Sequence, residues 1–179
     1  MKKIYLLLLT TSFYVASFAQ AAEDTTDGRF HDDLLNHLAG NWNITSTAHG
    51  SSFTGVIEAS WKLNHQFFHL HSKSNEVIPW WKVPMEYEVF IGYNHRTRRY
   101  VVHGVSIEGD ADLSEGFGYG YRDGNEFKTV SRVGGDSIVT QRFIWQPSSG
   151  TWNIRSNLET GGKIGDTFLE MWLVPVKSS

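Results

Sequence analysis

Apolar residues recur along this chain with two different periods, and the change from one to the other falls at Asn41. Before it, in "FHDDLLNHLAG", Phe30, Leu34, Leu35 and Leu38 stand at helical spacing and Gly40 supplies a C-terminal stop. That pattern predicts a helix of about two turns over Phe30–Leu38. After Asn41 the period is 2. Trp42, Ile44, Ser46 and Ala48 share one face of a first strand candidate, and Phe53, Ile57, Ala59, Trp61 and Leu63 share a face of the second. A third runs from Gln66 to Ser74. In the fourth, Met85, Tyr87, Val89, Ile91 and Tyr93 alternate with Glu86 and Glu88. "RRYVVHGVSI", "EGFGYGY", "EFKTVSRV", "SIVTQRFIW", "GTWNIRSNL" and "DTFLEMWLV" complete ten, punctuated by "NHRT", "RDGN", "PSSG" and "TGGKIG".

Ten strands in series with no helix between them dictate antiparallel pairing, because a parallel crossover needs a dozen or more residues. Closing such a meander removes its exposed edges. The expected fold is therefore all-β: an antiparallel up-and-down β-barrel of about ten strands, with the short N-terminal helix closing one end. Ten strands enclose more interior than eight, and more than side chains alone readily fill.

The ends and the composition set the compartment. "MKKIYLLLLTTSFYVASFAQA" has a basic start at Lys2 and Lys3, an apolar run opening at Ile4 to Leu9, and Ala19-Gln20-Ala21 as a cleavage signature. It reads as a signal peptide over residues 1–21, shorter in its apolar run than the roughly 20 residues of a membrane span. A polar leader over 22–29 and one barrel domain over 30–176 follow, and the expected location is the periplasm or the exterior. The 158 residues after Ala21 contain no cysteine, so stability rests on the core rather than on disulfides. Removing Lys2 and Lys3 leaves 14 basic against 19 acidic residues, a net charge of −5. That balance excludes the electrostatic footprint of a nucleic-acid binder.

Several stretches carry a family resemblance. "HLAGNWNI" resembles the opening of calycin barrels, in which a short helix leads through Gly-x-Trp, here Gly40 and Trp42, into the first strand. "ASWKLNHQFF" and "IGYNHRTRRYVVHG" resemble the bacterial domain-of-unknown-function family 1579 through Trp61, Leu63, Gly92, Tyr93, Asn94, Arg99, Tyr100 and Val101. The resemblance spans roughly His31 to Val174 and implies a calycin-like, lipocalin-like barrel without transferring any catalytic residue. Asn64-His65 stands where family members carry Gly-Gly, and His71 where they place an acid. Haem barrels of the nitrobindin type hold iron through a His near the C-terminus, whereas this chain has no His after His103.

The densest candidate chemistry is "LNHQFFHLHSK", with His65, His69 and His71. On a strand His69 and His71 share a face with Phe67 and Lys73. His103, expected to point inward with Val101, Val105 and Ile107, would be the third ligand of a zinc site. The competing reading turns Phe68 and Leu70 to the core and leaves the histidines as an ordinary polar face. Lys73 beside them opposes a cation, and the expectation is no metal. "DADLSEG" places Asp110, Asp112 and Ser114 at calcium-loop positions, but Glu115 and Tyr121 occupy the places of the glycine and the bidentate acid. "EVIPWWKVP" holds Trp80 and Trp81 between prolines, as a plug or as a lid over a barrel mouth. Arg96, Arg98 and Arg99 form a basic turn, either solvated or set to meet an anionic headgroup.

No G-x-S-x-G, H-E-x-x-H or cysteine nucleophile is present. The reading that results is an exported barrel binding a small apolar or amphipathic molecule, lined by Trp80, Trp81, Tyr87, His103 and His71. It calls for no cofactor, no nucleic acid and no membrane span, and it leaves the oligomeric state open. Two alternatives stand beside it: a barrel enzyme or metal protein using His69, His71 and His103, and a filled barrel serving as a structural or interaction module.

Overall fold

A computed structural model describes residues 23–24, 28–107 and 116–177. The signal peptide over 1–21, and Asp110, Asp112, Ser114 and Glu115 of the acidic loop, lie outside the described residues. Two short bridges, β1 (Glu23–Asp24) and β2 (Phe30–His31), pair with each other and precede α1 (Asp33–Leu38). Ten strands follow: β3 (Gly40–Ala48), β4 (Ser51–Lys62), β5 (Phe67–Ile78), β6 (Val83–Asn94), β7 (Arg99–Ser106), β8 (Phe117–Asp123), β9 (Glu126–Arg132), β10 (Ser137–Gln146), β11 (Thr151–Thr160) and β12 (Lys163–Pro175). Each pairs antiparallel with its neighbours in sequence, and β12 pairs with β3 to close the barrel. Among the described residues no helix is long and apolar enough to cross a membrane.

The helix is shorter than its apolar spacing predicts. The backbone N–H of Phe30 donates to the His65 carbonyl at 3.0 Å, which holds Phe30–His31 extended. Asp32 then caps the helix, its carboxylate accepting from the Leu35 N–H at 2.8 Å. Leaving Glu23–Asp24 paired with β2 also makes part of the polar leader a bridge rather than a free tail. The exit is set by Gly40, whose φ of +137° only glycine adopts readily.

Tryptophans receive the far end of α1. Trp42 Nε1–H donates to the Leu38 carbonyl at 2.8 Å, Trp152 Nε1–H to the His37 carbonyl at 3.3 Å, and Trp61 Nε1–H to Asn36 Oδ1 at 2.8 Å. Two carbonyls that a helix terminus leaves orphaned are thereby satisfied by indoles of the barrel wall. Trp42 lies buried in the main core with Leu34, Leu35, Leu38, Phe68 and Trp152, so the helix closes this end of the barrel as expected. Asp32 adds an electrostatic tie: it accepts from the Tyr100 hydroxyl and lies 3.5 Å from Arg122 Nη1.

Because the strands alternate direction, one set of turns surrounds the helix and the other surrounds the opposite end, the mouth. The turns at His49–Gly50, Pro79–Lys82 and Gly161–Gly162 belong to the mouth, and those at Leu63–Gln66 and His95–Arg98 to the helix end. The basic turn is thus a whole barrel length from the tryptophan loop, which removes it from any headgroup role there. Leu63, expected on the inner face of β4, sits instead in its turn at φ +49°, followed by Asn64 and His65, also left-handed.

Candidate functional site

Inward-facing residues divide the barrel into two unlike halves. Around α1 the interior is aromatic and aliphatic, and Phe30 packs against Trp61, Tyr93 and Tyr100 with centroid separations of 5.1–5.8 Å. Toward the mouth, the inner faces of β7, β8 and β9 shrink to Gly104, Ser106, Gly118, Thr129 and Ser131. The register places Ser72, Tyr87 and Ser106 side by side across β5–β7. It likewise places Thr129, Gln141 and Ser156 side by side across β9–β11.

One hydrogen bond links these two polar rows across the interior. Tyr87 OH donates to Gln141 Oε1 at 3.1 Å, and Gln141 Nε2 donates to Ser156 Oγ at 3.3 Å. Tyr87 leans over Gly104, where an added Cβ would stand 3.3 Å from its ring. Glycine at 104 therefore supplies the room for the crossbar. Burial pushes the Tyr87 phenol above its ordinary pKa, only partly offset by the bond to Gln141, so the group stays protonated and acts as a donor.

Above the crossbar the wall remains partly accessible. Gly104, Ser106, Gly118, Ser131, Val139 and Gln141 are half-buried, and Leu158 is 41% exposed. At the helix end, by contrast, Leu35, Leu38, Phe68, Ile91 and Trp152 are sealed from solvent. On the β3–β6 side of the mouth half, Ser46 and Ser72 are 1% and 2% exposed, and neither hydroxyl has a hydrogen-bond partner among the described residues. The Trp81 indole N–H is likewise buried without one. Unpaired buried polar atoms are uncommon in folded proteins; His65 Nδ1 and Arg122 Nε at the helix end and His103 Nε2 are others among the described residues.

The tryptophan loop sits at this mouth. Trp81 folds back onto a satellite core of Ala48, Phe53, Ile78 and Met85, while Trp80 is 39% exposed and meets His49 edge-on at 5.1 Å. The loop proper is only Pro79–Lys82, since β5 continues through Ile78 past a bulge after Lys73. Ser74 stabilises that bulge, accepting from the Met85 N–H and donating to the Glu76 carbonyl, both at 2.8 Å.

The histidines lie on the other side of the wall. Phe68, Leu70 and Ser72 face inward, so His69, His71 and Lys73 face out. His69 Nε2 contacts Glu88, His71 Nε2 lies 2.9 Å from Glu86 Oε1, and Lys73 Nζ donates to Glu86 Oε2 at 3.1 Å. Glu86 is held below the usual carboxylate range chiefly by the His71 bond, then by Lys73. His103 also corrects its expected direction: Tyr100 and Val102 of β7 are the buried residues, and His103 faces out, stacked on Phe117 at 3.9 Å. Alternation on β7 misleads because its outer face, Val101 to Ile107, is the more apolar one.

Phe90 stands between His69 and His103 in the register, two strand spacings apart or roughly 10 Å. The Phe90 ring lies against His69 at 4.7 Å between the two, and His69 Nε2 is engaged by Glu88. Among the described residues no three His, Cys, Asp or Glu side chains converge as a metal set. Of the five residues proposed from sequence to line a site, Tyr87, Trp80 and Trp81 belong to the mouth half, whereas His71 and His103 do not. Ser46, Ser72 and Gln141 were missed, their only signal being a polar residue on an otherwise apolar strand face. A groove of about 310 Å³ involving Thr47, His49, Asp166, Phe168 and Glu170 lies outside the barrel rim. In comparison with known proteins, the chain matches no family model and no curated protein sequence.

Proposed function

We propose that this protein is an exported calycin-like barrel that takes a small, largely apolar molecule into the mouth half of its interior. The observation that carries the reading is the contrast along the barrel axis: a sealed core at α1, and small, partly accessible inward residues with unpartnered hydroxyls at the other end. An apolar wall with few polar anchors is what small-molecule sites usually present. Trp81 covers one side of the mouth and Trp80 stands at its edge, consistent with a lid that offers rigid contact area. The filled-barrel alternative fits the helix half; at the mouth half the partly accessible Ser106, Ser131, Val139 and Leu158 favour the binding reading.

A neutral solvatochromic dye such as Nile red tests the reading. The exterior of β5–β8 also exposes Phe67, Phe90, Phe117 and Tyr119, so an interior variant must separate inside from outside binding. Ser131→Phe fills the mouth half from an inward position on β9 and leaves the exterior unchanged. The expected result is saturable dye binding by the parent and at least about tenfold weaker binding by Ser131→Phe, with Trp80→Ala weakening it less. Undiminished binding in a folded Ser131→Phe variant would place the dye outside and end the proposal.

A further inference from the structure

We infer that the ligand carries an uncharged hydrogen-bonding group, such as a hydroxyl, carbonyl or amide, and inserts that group into the barrel rather than leaving it in solvent. This rests on the binding reading above and adds the chemical class of the ligand.

The argument begins with the available partners. Below the rim, where Lys163 of β12 is paired with Thr160, the inward-facing positions of the mouth half on β3–β11 among the described residues are apolar, hydroxyl or amide, from Ser46 on β3 to Ser156 on β11. The buried ionic pair of the interior, Asp32 with Arg122, is spent at the opposite end on the cap of α1 and on Tyr100. The histidine and carboxylate ladder of β5 and β6 lies outside the wall. A carboxylate or ammonium inserted below the rim would lose its water and meet no counter-charge at that depth, which is the most heavily penalised form of burial.

A neutral polar group meets the opposite situation. Ser46 Oγ and Ser72 Oγ are buried, unpartnered, and able both to donate and to accept. A site whose own polar groups are left unpaired rejects a ligand that lacks the matching group. A pure hydrocarbon is therefore disfavoured as well. Gln141 is held on the far wall by Tyr87 and Ser156, whereas the Ser46 and Ser72 hydroxyls on the β3–β5 side have no partner at all among the described residues.

The experiment is displacement of Nile red from the full-length mature protein by three amphiphiles of one chain length: decanol, decanoate and decylammonium, at pH 7 and below their aggregation concentrations. The expected order is decanol first, displacing at concentrations at least about tenfold lower than either ion. Ser72→Ala combined with Ser46→Ala, a nearly isosteric change, should weaken decanol at least threefold and leave the two ions unchanged, since one lost hydrogen bond is worth roughly two- to tenfold. Equal displacement by all three would mean the head stays in solvent, and a preference for either ion would mean an unseen counter-charge. Either result, or no displacement by any of them, overturns this inference while leaving the dye-binding barrel intact. Failure of Nile red itself to bind in the Ser131-sensitive manner would instead remove the underlying reading.

Discussion

Replacing Trp42 separates the two ways in which the barrel holds its helix. The side chain is 5% exposed, packs in the main core, and donates its indole N–H to the Leu38 carbonyl at 2.8 Å. Trp42→Phe keeps an aromatic ring and removes the donor, leaving a buried carbonyl unsatisfied, at a cost of about 1–3 kcal/mol. Trp42→Ala also removes the ring, and truncating a buried aromatic costs about 3–5 kcal/mol. That loss of about 3–5 kcal/mol is a large share of the whole stability of many domains, about 5–15 kcal/mol. Urea unfolding followed by far-ultraviolet circular dichroism at pH 7 measures both variants, and an unchanged denaturant slope confirms that the same cooperative unit is being read. The phenylalanine variant should fall clearly between the parent and the alanine variant. An alanine variant within about 1 kcal/mol of the parent would refute the placement of Trp42 as the helix's anchor. A phenylalanine variant as stable as the parent would show that the Leu38 carbonyl does not depend on the indole.

Leu63→Gly should stabilise the protein by about 0.5–1 kcal/mol: the left-handed turn costs a non-glycine residue about 1–2 kcal/mol, glycine's extra freedom in the unfolded chain returns part of it, and Leu63 is 73% exposed with little packing to lose. A lower urea midpoint for that variant would show the turn to be unstrained. Alkaline stability should be governed by Tyr87 and Tyr100, both pushed up, Tyr87 by burial and Tyr100 by burial and the Asp32 carboxylate. A raised folded pKa means that the unfolded chain gives up its proton first, so their contribution is complete below about pH 10 and declines above it. Tyr100→Phe should accordingly flatten the fall of stability between pH 9 and 11, and a profile as steep as the parent's would contradict this origin.

Local chemistry made much of this protein legible in its sequence. Period-2 alternation with turn residues between the runs yields ten strands and their order, because a strand with one buried face must alternate. The Gly40-Asn41-Trp42 start and the inner face of β6 follow from the same rule, and the absence of crossover helices dictates antiparallel pairing. The rule fails where the two faces of a strand are equally apolar or where the inner face has been thinned. On β7 the exterior carries Val101, Val105 and Ile107 while the interior carries Gly104 and Ser106, so hydrophobicity points the wrong way and His103 with it. The start of α1 was set by a cap and a long-range bond to His65, neither visible as a period. Which polar groups end up together was beyond any local signal. Tyr87, Gln141 and Ser156 are far apart in the chain and meet only because barrel closure fixes the register across ten strands. The same closure leaves Ser46 and Ser72 buried with nothing to bind, because alternation dictates which way a side chain points and only the packed interior dictates what it meets there.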